Sequence, residues 1–488
     1  MSVNGKKVVI DPLTRLEGHG RIEIILDDAG SVSDVYLQVL ELRGFERFCL
    51  GRPAEEMLRI VPNICGVCPT SHYMAAAKAL DAVFNVSAPP TANLIRRLAS
   101  NAALLEDHLL HFFFLAGPDL FLDDSVEVAQ RNIFGVIQQL GEDFGRSLLE
   151  VRRRNREIVQ HLFSKSSHPE GGVPGGVSRG LTDGDRDWLL STAEQNLAFV
   201  HYALELFRKR VLRNPQFQKL LHDDAFTGDF YSMALVDKAD RMAFFDGKVK
   251  IVDKSGQVFS RFLPNEYRSH IGETTEPWTY ARFAFLKKIG WHGLHDGEDT
   301  SLYQTGPLAR LNVAVGMGTP LAQKEYELFC KEFGRKPVRL TLAGHWARLI
   351  CALQASEEML EMISGPHLTG RELRNIPGSL RGRGIGCVEA PRGTLFHDYE
   401  TDERGILTRM NLIVPTQHNI GPICLAVKKA AQAFIHDKQP DAYLLNRVES
   451  AYRVFDPCLA CATHDLSRLS FSLRFRDSTG TIVRQVQR

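Results

Sequence analysis

Two Cys-x-x-Cys pairs constrain this chain more than any other feature of its sequence, because they lie near its opposite ends. Cys65 and Cys68 form the first pair, and Cys458 and Cys461 form the second. This spacing places two sulfurs on one side of a turn, close enough to share a metal ion. Four thiolates suit a soft or borderline metal. If the pairs share one metal, the fold must bring the two ends of a 488-residue chain together.

Spacing alone leaves three other interpretations of the pairs open. One is a structural zinc site, although such sites usually have their pairs about 15–20 residues apart, and here most of the chain separates them. Another is a thioredoxin-like redox pair, although neither motif follows a βαβ pattern. The third is two unrelated pairs of packed cysteines. The spacing does not select the metal.

Charge and composition exclude several classes of partner. The net charge of +1 gives no electrostatic reason to expect binding to nucleic acid or to an acidic membrane surface. No apolar run reaches the roughly 18 residues of a membrane span, and the N-terminal segment lacks the apolar stretch of a signal peptide. Nine cysteines, an odd number at low density, indicate a reducing compartment and metal or redox use of a few thiols.

The hydrophobic pattern predicts a mainly α fold with α+β margins, in which a large helix-bundle core carries peripheral β-hairpins. A β-rich margin is expected over 1–50, a Gly/Pro-rich loop over 168–180 and a β-hairpin insertion over 226–262. We find no clean linker and predict one domain over 1–464. Helical stretches are predicted at 91–117, 124–164, 185–213, 321–333, 343–364 and 423–437.

Two cofactor classes are not expected in this chain. The remaining cysteines have no spacing typical of an iron–sulfur cluster and are expected to be core residues. The nearest approach to a dinucleotide-binding fingerprint, GRGIG at 382–386, does not fit that motif.

The residues around the cysteine pairs resemble the large, catalytic subunit of nickel–iron hydrogenases, and the similarity runs along nearly the whole chain. It is closest to the cytoplasmic, NAD-reducing (bidirectional) type. The matching motifs are Arg15-Leu-Glu17-Gly-His19-Gly, Arg43-Gly-Phe-Glu46, Cys65-Gly-Val-Cys68 with His72, His108-Leu-Leu-His111 with Asp119, the His168-Pro and Pro174-Gly-Gly loop, Glu389-Ala-Pro391-Arg392-Gly, Pro415-Thr416-x-x-Asn419, and Asp456-Pro-Cys458-Leu-Ala-Cys461 with His464.

The resemblance implies a nickel–iron centre that cleaves and forms molecular hydrogen. All four cysteines would bind nickel, and Cys68 and Cys461 would also bridge to an iron that carries carbon monoxide and cyanide ligands. Glu17 matches the proton-relay carboxylate. Without the motif, Glu17 would as readily be a surface or salt-bridged residue.

Further residues match the surroundings of that centre. Arg392 matches the arginine over the open coordination site, and Asp119 and Asp456 match the carboxylates expected to hold it. Pro391, Pro415 and Thr416 match the pocket around the diatomic ligands. His72 could donate a hydrogen bond to a bridging sulfur, although an isolated His more often packs in a core. Glu46, the Leu412 carbonyl and His464 match a magnesium site.

The resemblance also implies partners and processing. Electrons would leave through a small subunit with an iron–sulfur cluster, and in the NAD-linked type through diaphorase subunits with flavin and NAD. A maturation endopeptidase would cut after His464 and remove residues 465–488. Apolar and polar residues alternate in this tail, so the alternative interpretation is an edge strand that the protein retains. There are two alternatives. One is a non-catalytic scaffold subunit that is stabilised by a metal and related to the respiratory-complex homologue. The other is a structural protein stabilised by zinc.

Overall fold

The structure is a computed structural model that describes residues 7–334, 336–435, 442–463, 472–476 and 482–487. The longer helices carry the core, and the predicted fold class is confirmed. The α-helices are α1 Phe45–Phe48, α2 Met57–Ile60, α3 Pro69–Val83, α4 Pro90–Leu110, α5 Gly117–Phe121, α6 Ile133–Leu140, α7 Glu142–Phe163, α8 Asp183–Leu206, α9 Pro215–Leu221, α10 Tyr267–His270, α11 Pro307–Val313, α12 Pro320–Phe333, α13 Gly344–Ser364, α14 Pro415–Phe434 and α15 Ala442–Arg453.

The strands form six separate small sheets in the described ranges. They are β1 Lys7–Ile10, β2 Gly20–Leu26, β3 Val32–Val39, β4 Gly172–Val173, β5 Gly176–Val177, β6 Tyr231–Val236, β7 Lys248–Val252, β8 Val258–Phe262, β9 Ile271–Thr275, β10 Arg282–Leu286, β11 Tyr303–Gln304, β12 Arg383–Ala390, β13 Gly393–Thr401, β14 Leu407–Ile413, β15 Ser472–Arg476 and β16 Ile482–Gln487.

The N-terminal margin is the expected meander, an antiparallel sheet in the order β1-β2-β3. Its alternate residues, including Ile22 and Ile24, are fully buried, as period-two alternation requires of a sheet with one covered face. The predicted hairpin over 226–262 is present as β7–β8. It belongs to a larger four-stranded sheet in the order β11-β6-β7-β8.

The sheet β12-β13-β14 was not predicted from the sequence. It is antiparallel throughout and lies inside the molecule, with most of β12 and β13 buried. The helix α3 packs closely on it, because a Cβ at Gly386 would lie 1.9 Å from the Ala75 carbonyl oxygen. Only glycine allows backbones to approach this closely, and that contact brings β13 next to the first cysteine pair.

Helix packing builds the largest hydrophobic cluster, which includes residues of α4, α7, α8 and α13. The predicted helix over 91–117 is observed as α4 followed by a π-helix at His111–Leu115. The predicted helix over 423–437 begins earlier, at Pro415, where proline occupies the first turn. Such a position costs a helix no hydrogen bond. None of the described helices is long and apolar enough to cross a membrane.

Candidate metal centre

The four predicted cysteines converge. Their sulfurs all lie within 4.8 Å of one another, and all four side chains are buried. The Cys65 and Cys458 sulfurs are 3.3 Å apart, and those of Cys68 and Cys461 are 3.8 Å apart. A disulfide would need about 2.05 Å, so these are free thiols whose arrangement suits one shared centre with thiolate ligands. Within the described residues, no other group of three or more His, Cys, Asp or Glu side chains is placed to hold a metal.

The first pair is placed by the start of α3. Cys65 follows a 3₁₀ turn in extended conformation, and Cys68 is the N-cap residue of α3. The backbone N–H groups of Val67 and Cys68 donate to the Cys65 sulfur at 3.3 and 3.2 Å. Burial alone would raise the pKa of Cys65, but hydrogen bonds from the other three cysteines hold it well below its usual range.

The second pair is held by the N-terminal segment. Glu17 and Cys458 form a parallel β-bridge, in which the Leu459 N–H donates to the Glu17 carbonyl at 2.8 Å. The Cys458 N–H donates to the Thr416 hydroxyl oxygen at 2.9 Å. The ends of the chain thus meet at the cysteines, as a shared centre requires.

The Glu17 carboxylate lies directly against the cysteine cluster. The Cys458 thiol donates to Glu17 Oε2 at 2.9 Å, and the Ala460 N–H donates to the same oxygen at 3.3 Å. Burial raises the pKa of Glu17, and the nearby Cys65 raises it further. A carboxylate in this position can receive a proton from the Cys458 sulfur in a single transfer.

The Arg392 guanidinium is buried, and each of its three nitrogens donates a hydrogen bond. It lies in the two-residue turn between β12 and β13. Its Nε donates to the Asp456 carbonyl oxygen at 2.7 Å and its Nη2 to Asp456 Oδ1 at 3.0 Å. Its Nη1 donates to Asp107 Oδ2 at 2.9 Å. The turn requires Gly393 (φ 139°), because a Cβ there would lie 2.0 Å from the Thr305 hydroxyl oxygen.

The prediction that Asp119 holds Arg392 is wrong. Asp119 pairs with Arg15 at 2.7 Å and with Arg453 at 2.9 Å. The reason is geometric: Asp107 lies in α4, whereas Asp119 lies beyond the π-helix, in α5. Asp107 was not predicted from the sequence, although a carboxylate among the apolar residues of a long helix is itself a signal of a buried partner.

Asp119 instead anchors the segment that carries Glu17. Arg15 has a left-handed backbone conformation (φ 56°), and its guanidinium also donates to the Leu115 carbonyl at 3.0 Å. Arg453 ends α15, three residues before Asp456. The Asp119 carboxylate therefore ties the N-terminal segment to the approach of the second cysteine pair.

Asp119→Asn is expected to lower the free energy of unfolding by about 3–5 kcal/mol at neutral pH, because it removes the carboxylate that Arg15 and Arg453 share and leaves Glu449 as the remaining acidic partner of Arg453. Burial alone would raise the pKa of Asp119, but Arg453 and Arg15 hold it well below its usual value. A depressed pKa stabilises the fold above the unfolded-state pKa of about 3.9, and this stabilisation is lost as the pH falls through the folded-state pKa.

Urea denaturation at pH 7 and pH 3 measures the effect. The difference between the unmodified chain and the Asp119→Asn variant should be largest at pH 7 and smaller at pH 3. Asp187→Asn, at an exposed position, is the matched control and should change neither value. A pH-independent difference would show that the charge of Asp119 is not what stabilises this contact.

Four further predicted residues are described by the structure: Pro391, Pro415, Thr416 and His72. Pro391 is buried beside Arg392, and Pro415 begins α14 next to Thr416. His72 lies on α3 with its Nε2 3.7 Å from the Cys461 sulfur.

The predicted magnesium ligands are only partly described. Glu46 and Leu412 meet, but through the Leu412 N–H, which donates to Glu46 Oε1 at 2.5 Å. Arg282 Nη1 lies 3.7 Å from the other Glu46 oxygen. His464 lies outside the described residues.

Comparison with known proteins identifies a family. A sequence model described as nickel-dependent hydrogenase matches residues 43–135 and 280–464, and a model described as HoxL-like matches residues 7–42. The F420-non-reducing hydrogenase iron-sulfur subunit of Archaeoglobus profundus is 40% identical over 99% of both chains. The NAD-reducing hydrogenase HoxS subunit beta of Cupriavidus necator is 33% identical, over 98% of this chain and 99% of that protein.

Solved structures agree with these matches. A crystal structure of an NAD+-reducing [NiFe]-hydrogenase in the H2-reduced state superposes with a TM-score of 0.87 and 37% identity, covering 94% of this chain and 99% of that chain. A Ni-Fe-Se hydrogenase from D. vulgaris Hildenborough has a TM-score of 0.73 at 20% identity, over 94% and 100% of the two chains. The second likeness shows the shared fold.

Proposed function

Since the chain belongs to the large subunits of the nickel-dependent hydrogenases, we propose that its four cysteines hold a nickel–iron centre that cleaves and forms H2 reversibly. The observation that carries this proposal is the meeting of four buried sulfurs within 4.8 Å, with Glu17 at hydrogen-bond distance from one of them. When bound, the centre would supply the heterolytic cleavage of H2, which yields two protons and two electrons in all.

The ligand roles follow from the family pattern. Cys65 and Cys458 would bind nickel alone, and Cys68 and Cys461 would also bridge to iron carrying carbon monoxide and cyanide. The residues present fit such a centre, because all four thiols are buried and free of disulfides. Soft sulfur donors are the ligands that such metals prefer.

The protein then has to remove each proton. The Cys458 sulfur can hold it transiently, and Glu17 Oε2 at 2.9 Å is placed to accept it. Because Glu17 is partly exposed whereas the cysteines are buried, a proton on this carboxylate has moved from the interior toward solvent. Glu17 would act as the general base in H2 cleavage and the general acid in the reverse reaction.

Arg392 would fix the charge and shape of the pocket over the open coordination site. Asp107 and Asp456 hold its guanidinium in one orientation, and a fixed cation needs no reorganisation during the reaction. The buried Pro391 and Pro415 would supply apolar walls, and Thr416 a hydroxyl. Asp119 has no place in this pocket.

The electrons would leave through other subunits. We propose a small subunit with an iron–sulfur cluster, followed by diaphorase subunits that carry flavin and reduce NAD+ in the cytoplasm. The support is the 37% identity to an NAD+-reducing hydrogenase structure. The 40% identical relative is named for not reducing F420, so an acceptor other than NAD+ is the competing outcome.

An assay of the complex purified from its natural host tests the function and the acceptor together. Hydrogen should reduce a viologen dye, and the same preparation should reduce NAD+ only if the diaphorase subunits are present. Dye reduction without NAD+ reduction by a complex that retains all its subunits would reject the NAD linkage but keep the hydrogenase. Failure of both reactions would favour the non-catalytic scaffold.

We also propose that the functional unit is a single domain over 1–464, with a Mg2+ ion held by Glu46, the Leu412 carbonyl and His464. The segment 465–488 would be removed by a maturation endopeptidase that cuts after His464. Two strands, β15 and β16, form a hairpin within this segment. Mass spectrometry of active protein should find a chain that ends at His464, and an active chain that retains 465–488 would exclude the cleavage.

A further inference from the structure

A row of buried side chains leads away from the cysteine cluster at Cys461, whereas Glu17 contacts Cys458. His72 Nε2 lies 3.7 Å from the Cys461 sulfur, and His72 Nδ1 lies 3.1 Å from His397 Nε2. His397 Nδ1 lies 2.6 Å from the Tyr399 hydroxyl. The three side chains beyond Cys461 are at most 1% exposed.

We propose that His397 and Tyr399 are positioning residues that hold His72 in the tautomer able to donate a hydrogen bond to the Cys461 sulfur. This inference rests on the proposed nickel–iron centre, in which Cys461 is a thiolate ligand. It assigns a role to two residues of β13 that lie outside the motifs that identify the family.

The direction of each hydrogen bond follows from the groups at the two ends of the row, the Cys461 sulfur and the Tyr399 hydroxyl. A metal-bound thiolate carries no hydrogen, so His72 Nε2 must carry one to make this contact. In a neutral imidazole the other nitrogen is then an acceptor, and His72 Nδ1 accepts from His397 Nε2. His397 Nδ1 must accept in turn, and the Tyr399 O–H is the donor. All three hydrogen bonds therefore point toward the sulfur.

The β-strand builds this row by its period. Successive residues of a strand face opposite sides, so His397 and Tyr399 share the face that packs toward α3, where His72 lies. Between them, Asp398 faces the other side and accepts a hydrogen bond from the Tyr267 hydroxyl at 2.8 Å. The close approach of β12 and α3 at Gly386, which pairs with His397 in the sheet, fixes the separation of the two histidines.

This row is a fixed support and not a second proton exit. Tyr399 is fully buried, and burial raises its pKa well above the usual range, so the phenol keeps its hydrogen. Glu17, in contrast, is partly exposed. The two contacts of the cluster therefore differ: the one at Cys458 releases protons, and the one at Cys461 sets the electron density on its sulfur. Hydrogen bonds to ligating sulfurs are one of the ways in which proteins tune metal centres.

Infrared spectroscopy of the complete hydrogenase complex tests the proposal through a readout other than activity. A hydrogen bond to a thiolate withdraws electron density from the metal, which weakens back-donation and raises the CO stretching frequency. Tyr399→Phe removes the donor at the far end of the row and should shift the CO band to lower wavenumber. Tyr267→Phe is the matched control, since it removes a buried hydroxyl that leads to Asp398, and its band should not move.

A second substitution reverses the sign and preserves the shape of the side chain. Replacing Tyr399 alone with 3,5-difluorotyrosine makes the phenol a stronger donor and should shift the CO band to higher wavenumber. Unshifted bands with difluorotyrosine would overturn the proposal, whether or not Tyr399→Phe assembles the centre. An absence of CO and cyanide bands in the unmodified complex would instead reject the proposed function, so the two failures can be told apart.

Discussion

Replacing Cys458 with serine is expected to abolish hydrogen turnover and to prevent stable loading of nickel. Cys458 contributes one of four sulfurs within 4.8 Å, and it also contacts Glu17 and Cys65. Serine has nearly the same shape, but its hydroxyl is a hard donor that is not ionised at neutral pH. The loss should exceed the roughly 10–100-fold that removal of an outer partner of a metal ligand costs.

The measurement pairs a dye-reduction assay with metal analysis of the purified complex. Cys330→Ser is the matched control, because Cys330 is a partly exposed residue of α12 outside the cysteine cluster, and its variant should keep both activity and nickel. Full activity in Cys458→Ser would refute the ligand assignment. If the unmodified chain is inactive and contains zinc in place of nickel, the four cysteines form a structural site.

Glu17→Gln is expected to lower hydrogen turnover by about 10²–10⁴-fold, the range that a positioned general acid–base group contributes, without loss of metal. Glutamine keeps the size of the side chain and can still accept the Ala460 N–H hydrogen bond. It cannot take up a proton from Cys458. The defect should therefore appear in the turnover rate, with nickel content and the infrared bands of the centre unchanged.

Glu298→Gln, at an exposed position, is the control for the loss of one carboxylate and should retain full turnover. A Glu17→Gln variant that contains the complete centre and turns over at the unmodified rate would show that the proton leaves by another route. In that event the contact between Glu17 and Cys458 would be structural.

The sequence predicted the meeting of the chain ends because thiolate chemistry constrains distant residues directly. Four cysteines that share one metal must converge, whatever lies between them. The helical tracts were also predictable, since the segments that became α4, α12 and α13 carry long periodic apolar patterns. The meander β1-β2-β3 followed from alternation and turn residues. These features depend on local pattern or on the chemistry of a single group.

The prediction that Asp119 holds Arg392 failed because a motif match gives residue types and not the path of the backbone between them. Twelve positions separate Asp107 from Asp119, and the π-helix between them turns the second carboxylate toward Arg15 and Arg453. Both residues are acidic and both bind arginine, so residue type could not distinguish them. Only the packing of α4 against the turn that carries Arg392 does so.

The sheet β12-β13-β14 and the row from His72 to Tyr399 were missed for a related reason. Strands that are buried on both faces show little alternation, and β13 is buried over most of its length. The contact between His72 and His397 joins residues that are 325 positions apart. No spacing in the sequence links the two histidines to each other, in contrast to the paired cysteines.

Infrared spectroscopy combined with metal analysis tests the central claim most directly. The account predicts that protein purified from its natural host contains about one nickel and one iron per chain and shows the stretching bands of one CO and two cyanide ligands. These bands should be absent from Cys458→Ser. A chain that contains zinc alone, with no CO or cyanide bands, would contradict the account. The four cysteines would then form a structural zinc site that joins the two ends of the chain.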